Sequence, residues 1–313
     1  LGASILATVA MVGTAGGGAI VSAQDDPGFI VGSDGFYQSV LVGEVNAHAL
    51  EAEGSSVARD GLAIGARPAR VAAFDSGQIN LMPEYVGFGL SIFTGGEDVS
   101  EDIAAITPTG NLDTDVASLQ QVFDLRGVPS TVLAPSAGED TNAAVVRPDT
   151  AEEFGLSTMS DLAAVQDELT WGLPTDCETN PPCRVALEET YGISYPPANL
   201  ELLSACDAPM AIALEGNAVD VAWLCSTQPV IAQNGWIVLA DDQESQPRGN
   251  LVPVVRNDVL EQVDGGADAI AAILDPVSAA LTTDVLTELG VRVAVDQEAT
   301  EDVAADFLAS LAG

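Results

Sequence analysis

The sequence contains no lysine. Its nine basic residues are all arginines, set against 47 acidic ones, for a formal net charge of −38. Phosphate binding needs basic groups that displace counterions, so a field of this sign excludes nucleic acid as a partner and repels anionic lipid surfaces. The missing lysine also excludes the G-x-x-x-x-G-K-[ST] phosphate loop, and Gly16-Gly17-Gly18 belongs to an apolar leader instead. Histidine is nearly as scarce. The single copy, His48, sits between Ala47 and Ala49 in a helical pattern, where it reads as a surface or packing residue. No Ser-His-Asp or Cys-His constellation is evident, and no spacing among so many carboxylates singles out an acid and a base. The chain therefore reads as a non-enzyme, with no catalytic residue assigned and no cofactor called for.

What is present is apolar. Hydrophobic residues make up 47% of the 313 positions, ample for a packed interior, and the charge is spread instead of gathered in the blocks typical of a disordered tail. A chain of this length exceeds the usual size of one hydrophobic core, so two α/β lobes are expected. A carboxylate-rich, lysine-free surface fits a protein that stays soluble in high salt; steering of a cationic ligand is the second reading.

Residues 1–23 are small, apolar and uncharged, and end in Val21-Ser22-Ala23 before Gln24-Asp25-Asp26-Pro27. This fits an A-x-A-like cleavage site, so a secretory signal peptide is expected, lacking its basic start; the alternative is an uncleaved anchor. No cysteine near the junction offers a lipid-attachment site. Export permits disulfides, and the four cysteines fall as Cys177 and Cys183, then Cys206 and Cys225. Two bridges are the economical reading, though sequence allows three connectivities. Zinc is the rival, but neither spacing has the close C-x₂₋₄-C form of a structural site.

Along the chain, strands alternate with helices. An apolar strand over residues 28–33 ends in a glycine turn, and a helix follows with Leu41, Val45 and Ala49 at intervals of four, Leu50 alongside and Gly54 as a stop. A short helix over 69–76 precedes a strand over 79–82 that runs into Pro83-Glu84-Tyr85. Further strands are expected at 128–133, 143–146, 169–173, 219–224, 236–239 and 251–255, with helices at 160–164 and 185–191. Alternating units of this kind predict mostly parallel sheets flanked by helices. The expected division is lobe one over 28–136, lobe two over 137–248 and a return to lobe one over 249–313. Ligands of open α/β sheets bind beyond the carboxyl ends of the strands, which draws residues 33–36, 83–87 and 225–228 to a cleft between the lobes.

Ser76-Gly77-Gln78-Ile79-Asn80-Leu81-Met82-Pro83-Glu84-Tyr85-Val86-Gly87 resembles the S-G-E-I-D-L-Y-P-E-Y-T-G stretch of substrate-binding proteins from osmoprotectant ABC transporters, the glycine betaine, carnitine and choline group. Gly32-Ser33-Asp34-Gly35-Phe36, Ser160-Asp161-Leu162-Ala163, Tyr191-Gly192, Leu239-Ala240-Asp241-Asp242 and Pro253-Val254-Val255-Arg256 follow in the same order, so the resemblance spans residues 29–311. The sequence departs from that group at Ser226-Thr227-Gln228, where S-T-D is usual, and at Phe36-Tyr37-Gln38, where F-T-E is.

The resemblance implies a type II periplasmic-binding-protein fold and an extracytoplasmic receptor, in the periplasm or at the cell surface. Such a receptor holds a quaternary-ammonium ligand between its lobes and delivers it to a permease driven by a separate ATPase. A monomer is expected. A quaternary nitrogen has no proton to donate, so aromatic faces must hold it. Aromatics are only 5% of the chain, and those near the cleft segments are Phe36, Tyr37, Tyr85, Phe88 and Trp223. Trp223 alternates with Val221 on a strand, a pattern more common for a buried core residue. Ser33, Thr227, Gln228, backbone amides at a helix start or an arginine are the candidate donors to a ligand carboxylate, and Gln228 to a hydroxyl. The competing readings are a receptor for another small solute, a ligand-sensing surface module without transport, and an extracellular α/β hydrolase or transferase.

Overall fold

The chain's architecture, given by a computed structural model that describes residues 28–95, 99–204, 206 and 208–312, follows from two sheets built on one plan. The expected signal peptide lies outside the described residues. The first sheet has the order β2-β1-β3-β10-β4, from β1 (Phe29–Gly32), β2 (Val57–Gly61), β3 (Leu81–Tyr85), β4 (Ser130–Val132) and β10 (Leu251–Arg256). The second has the order β7-β6-β8-β5-β9, from β5 (Asn142–Val146), β6 (Trp171–Pro174), β7 (Leu200–Leu203), β8 (Val221–Cys225) and β9 (Ile237–Val238). In each sheet four strands run one way and one runs against them: β10 in the first, β5 in the second. The reversed strands are the ones on which the chain first enters the second sheet and returns to the first.

The central strands of each sheet are buried on both faces and read as continuous apolar runs. Along β10, Leu251 and Val255 enter one core of the first lobe, while Val252 and Val254 enter the other. In β8, Val221 and Trp223 face one core of the second lobe, and Ala222 and Leu224 the other. Helix α1 (Tyr37–Ala52) is embedded between the first sheet and the C-terminal helices, among them Gly266–Ala280 and Thr300–Leu311. Leu41, Val45 and Ala49 are buried as their spacing predicts, but so are Gln38, Ser39, Glu44 and Asn46 on its other faces. Helices α2 (Arg67–Asp75) and α3 (Val86–Thr94) flank β3. The 185–191 helix is present as a π-helical segment, Val185–Thr190, continuing Pro181–Arg184.

The strand expected at 79–82 begins instead at Leu81 and runs through Pro83 to Tyr85. A proline removes a ladder donor and is unusual inside a sheet. Here Pro83 faces Pro253 across the antiparallel β3–β10 pair. Their carbonyls point away from each other, Pro83 to Arg70 and Pro253 to Leu133. The two prolines thus meet at a non-hydrogen-bonded position, where neither needs an N–H for the other strand.

The two crossings between sheets lie side by side. Asp140 N donates to Gly249 O at 3.0 Å, and Asn250 Nδ2 donates to the carbonyls of Ser136 and Gly138 at 3.0 and 3.1 Å. A side chain at Gly249 would overlap the Asp140 carbonyl, so the approach requires glycine. Both disulfides lie in the second lobe, Cys177–Cys183 within a short loop and Cys206–Cys225 joining a loop to the end of β8.

Candidate ligand-binding cleft

The carboxyl ends of β1 and β3 on one side, and the loops after β6, β7 and β8 on the other, enclose a cleft of about 910 Å³. The first lobe lines it with Asp34, Phe36, Tyr37, Arg67, Tyr85 and Phe88; the second lobe and crossing contribute Asp140, Asn142, Asp176, Asn180, Ser204 and Gln228, with the Cys206–Cys225 bridge in the wall. Both sheets thus present the ends at which open α/β folds bind ligands.

Three rings form one wall. Tyr85, the last residue of β3, has its ring centroid 6.2 Å from Phe36 at an interplanar angle of 33°, and 6.3 Å from Phe88 at 85°. Its phenol donates to Gln38 Oε1 at 2.6 Å, and Gln38 Nε2 donates to Thr227 Oγ1 at 2.9 Å. Thr227 N in turn donates to Asp140 Oδ1 at 3.0 Å. This chain of bonds links both lobes beneath the cleft and fixes the orientation of the Tyr85 ring. Burial, joined by the charges of Asp140 and Asp34, pushes the Tyr85 phenol well above its ordinary value. Burial and Asp140 likewise raise Tyr37, against a hydrogen bond to Thr227. Both rings therefore stay uncharged.

A buried ion cluster holds the wall from behind. Arg70 is fully buried and donates through Nε to Asp34 Oδ1 and through Nη2 to Glu84 Oε2, each at 2.8 Å. Arg67 approaches Glu84 Oε1 at 3.3 Å, and the same oxygen accepts from Tyr85 N at 2.8 Å. Burial acts to raise the Glu84 carboxyl, but Arg67, Arg70 and these hydrogen bonds outweigh it and hold the group below its usual range. Two carboxylates meet two guanidiniums, and the cluster is neutral.

The profile of the family described as the substrate binding domain of ABC-type glycine betaine transport systems matches residues 29–310. The chain belongs to this family. Among curated relatives it is 28% identical to the glycine betaine-binding protein YehZ of Escherichia coli, over 89% of this chain and 88% of that one. It is 26% identical to a glycine-betaine-binding protein of Pseudomonas aeruginosa, over 89% and 86%. A crystal structure described as a glycine betaine/carnitine/choline ABC transporter shares its fold with a TM-score of 0.71 at 18% identity, over 90% of this chain and 98% of that one. The fold is that of the two-lobed type II periplasmic binding proteins, and the family is one of transport binding proteins, not an enzyme class.

Of the residues singled out from the sequence of this family member, Phe36, Tyr37, Tyr85, Phe88 and Gln228 come together in the cleft. Gln228 lies at the start of helix Pro229–Asn234, and its Oε1 accepts from Cys225 N at 3.0 Å. Trp223, Ser33 and Thr227 are not among the lining side chains. Trp223 points from β8 into a core of the second lobe, 1% exposed. Ser33 is fully buried, and its hydroxyl bonds Asp34 O and the Ala63 N–H. Thr227 is buried beneath the floor, where its hydroxyl receives Gln38. His48 is not among the lining residues and lies 3.9 Å from Glu44 and 3.7 Å from Glu51 on α1. The structure adds Arg67, Asp140 and Asn142 to the lining, none of which stood out in the sequence, and Asp34 from the segment expected at the cleft.

Proposed function

We propose that this chain captures a quaternary-ammonium osmoprotectant outside the cytoplasm and delivers it to the permease of an ABC importer powered by a separate ATPase. The observation that carries the reading is the wall formed by Phe36, Tyr85 and Phe88 in the cleft of a chain with this family and fold. Each such ring face contributes about 0.5–2 kcal/mol to a desolvated cation, without any proton from the ligand. Lobe one (28–136 and 249–313) and lobe two (137–248) close over the ligand about the paired crossings, and the monomer is the working unit. The test is calorimetric titration of the purified chain with choline and glycine betaine, beside a Tyr85→Ala variant. Saturable binding that the variant weakens about tenfold, equivalent to about 1.4 kcal/mol, supports the reading. A folded chain that binds neither compound overturns it.

A further inference from the structure

The charges lining the cleft do not balance. Among the described residues they are Asp34, Arg67, Asp140, Asp176 and Glu215, four carboxylates to one guanidinium. Asp34 is satisfied by Arg70, and the charge of Arg67, the one cation of the lining, is offset by Glu84 at 3.3 Å. Asp176 and Glu215 are exposed to solvent. Asp140 differs from all of these. It is 4% exposed, lies where the chain enters the second lobe, and has only uncharged donors: Thr227 N at 3.0 Å and Ser226 Oγ at 3.2 Å, both on Oδ1. No arginine is among the influences on its carboxyl, which burial pushes up to about 6 against the hydrogen bonds from Thr227 and Ser226. A buried carboxylate without a counter-charge is costly unless something cationic completes it.

Resting on the quaternary-ammonium reading, we infer that the cleft is built for a net cation such as a quaternary-ammonium alcohol, with Asp140 as its counter-charge, and selects against a zwitterion that carries its own carboxylate. A ligand carboxylate entering this cleft meets Asp140 and Asp34 and has one cationic partner, Arg67, whose charge Glu84 already offsets. A hydroxyl in the same position brings no like charge and has Asn142 and Gln228 among the polar groups of the wall.

Choline and glycine betaine share the trimethylammonium group and differ in this respect, so the two are titrated calorimetrically against the intact chain and against Asp140→Asn at pH 7.5. The wild-type chain is expected to bind choline about tenfold more tightly than glycine betaine or better, a difference of about 1.4 kcal/mol. Asp140→Asn should lose about tenfold in choline affinity while glycine betaine changes by less than about threefold, as expected for loss of one charge pair in a partly desolvated site. Because asparagine keeps the Oδ1 acceptor, and retained binding of the zwitterion reports folding, the ratio of the two affinities in the variant is read independently of stability. Tighter binding of glycine betaine by the wild type, or an equal loss of both ligands in Asp140→Asn, overturns the charge inference and leaves the quaternary-ammonium reading standing. Binding of neither ligand overturns both.

Discussion

At the residue scale, the proposed recognition of the ligand is divided between the ring face of Tyr85 and the charge of Asp140. Since the Tyr85 phenol is committed to Gln38, its face and its hydroxyl have separable roles. Tyr85→Phe should keep the wall and bind within about threefold of wild type, whereas Tyr85→Ala loses about 1–2 kcal/mol, checked by the same titrations. Asp140 makes binding depend on pH. Its folded-state value of about 6 lies above the ordinary 3.8, so the proton favours the empty fold: this contribution to stability is fully present below 3.8 and is lost as pH rises through 6. A bound cation favours the ionised form, so affinity for choline should be flat above neutrality and fall as pH drops through about 6, by up to tenfold per unit. The neighbouring phenols do not mask this, because Tyr37 and Tyr85 stay protonated. An Asp140→Asn variant whose choline affinity declines equally over that window would contradict the assignment. Tyr85 was legible in the sequence because it ends a distinctive Pro-Glu-Tyr stretch. Asp140 was not, since nothing local distinguishes one unpaired carboxylate among 47. Trp223 illustrates the opposite difficulty: alternation along β8 shows that it shares a face with Val221, but in a sheet covered on both sides either face is interior.

At the scale of elements, the central strands announced themselves by their apolar runs, as did the edge strands β4 and β9, and the edges β2 and β7 did not. β2 reads Val-Ala-Arg-Asp-Gly with one fully buried residue, and β7 reads Leu-Glu-Leu-Leu with none, so neither carries the pattern of a buried strand. Both became strands because β1 and β6 had a free parallel edge to offer, a tertiary reason that no short window contains. Pro83 lies inside β3 for a similar reason, its place in the sheet depending on Pro253 about 170 residues away. The paired crossings make a direct prediction. Gly249→Ala forces the Asp140 backbone aside and should destabilise the chain by about 1–3 kcal/mol in denaturant unfolding. It should also weaken choline binding, because the displaced residue carries the proposed counter-charge. Unchanged stability and affinity would mean that the crossings do not hold Asp140 in place.

At the scale of the whole molecule, a net charge of −38 with nine arginines leaves the folded chain strongly self-repelling. The ion pairs seen at the surface, such as Arg292 with Glu298 and Asp306, cannot offset so large an excess. Screening shortens from about 10 Å at 0.1 M salt to about 3 Å at 1 M, so the melting temperature should rise by about 5 °C or more between these limits. A melting temperature that falls with added salt would contradict adaptation to high ionic strength. The same screening should reduce the rate at which a cation is drawn in while leaving the short-range contacts of the desolvated cleft nearly intact. Two lobes, a mostly parallel order in each and a cleft between them were all readable from alternating segments and length; the charge balance inside the cleft emerged only when the chain was folded. The most direct test of the central claim is a crystal structure of the chain with choline. The account predicts the quaternary nitrogen in the cleft, within about 6 Å of the Tyr85 ring centroid and on the side facing the Asp140 carboxylate. Choline bound away from both, or a cleft that stays empty at saturating ligand, would contradict it.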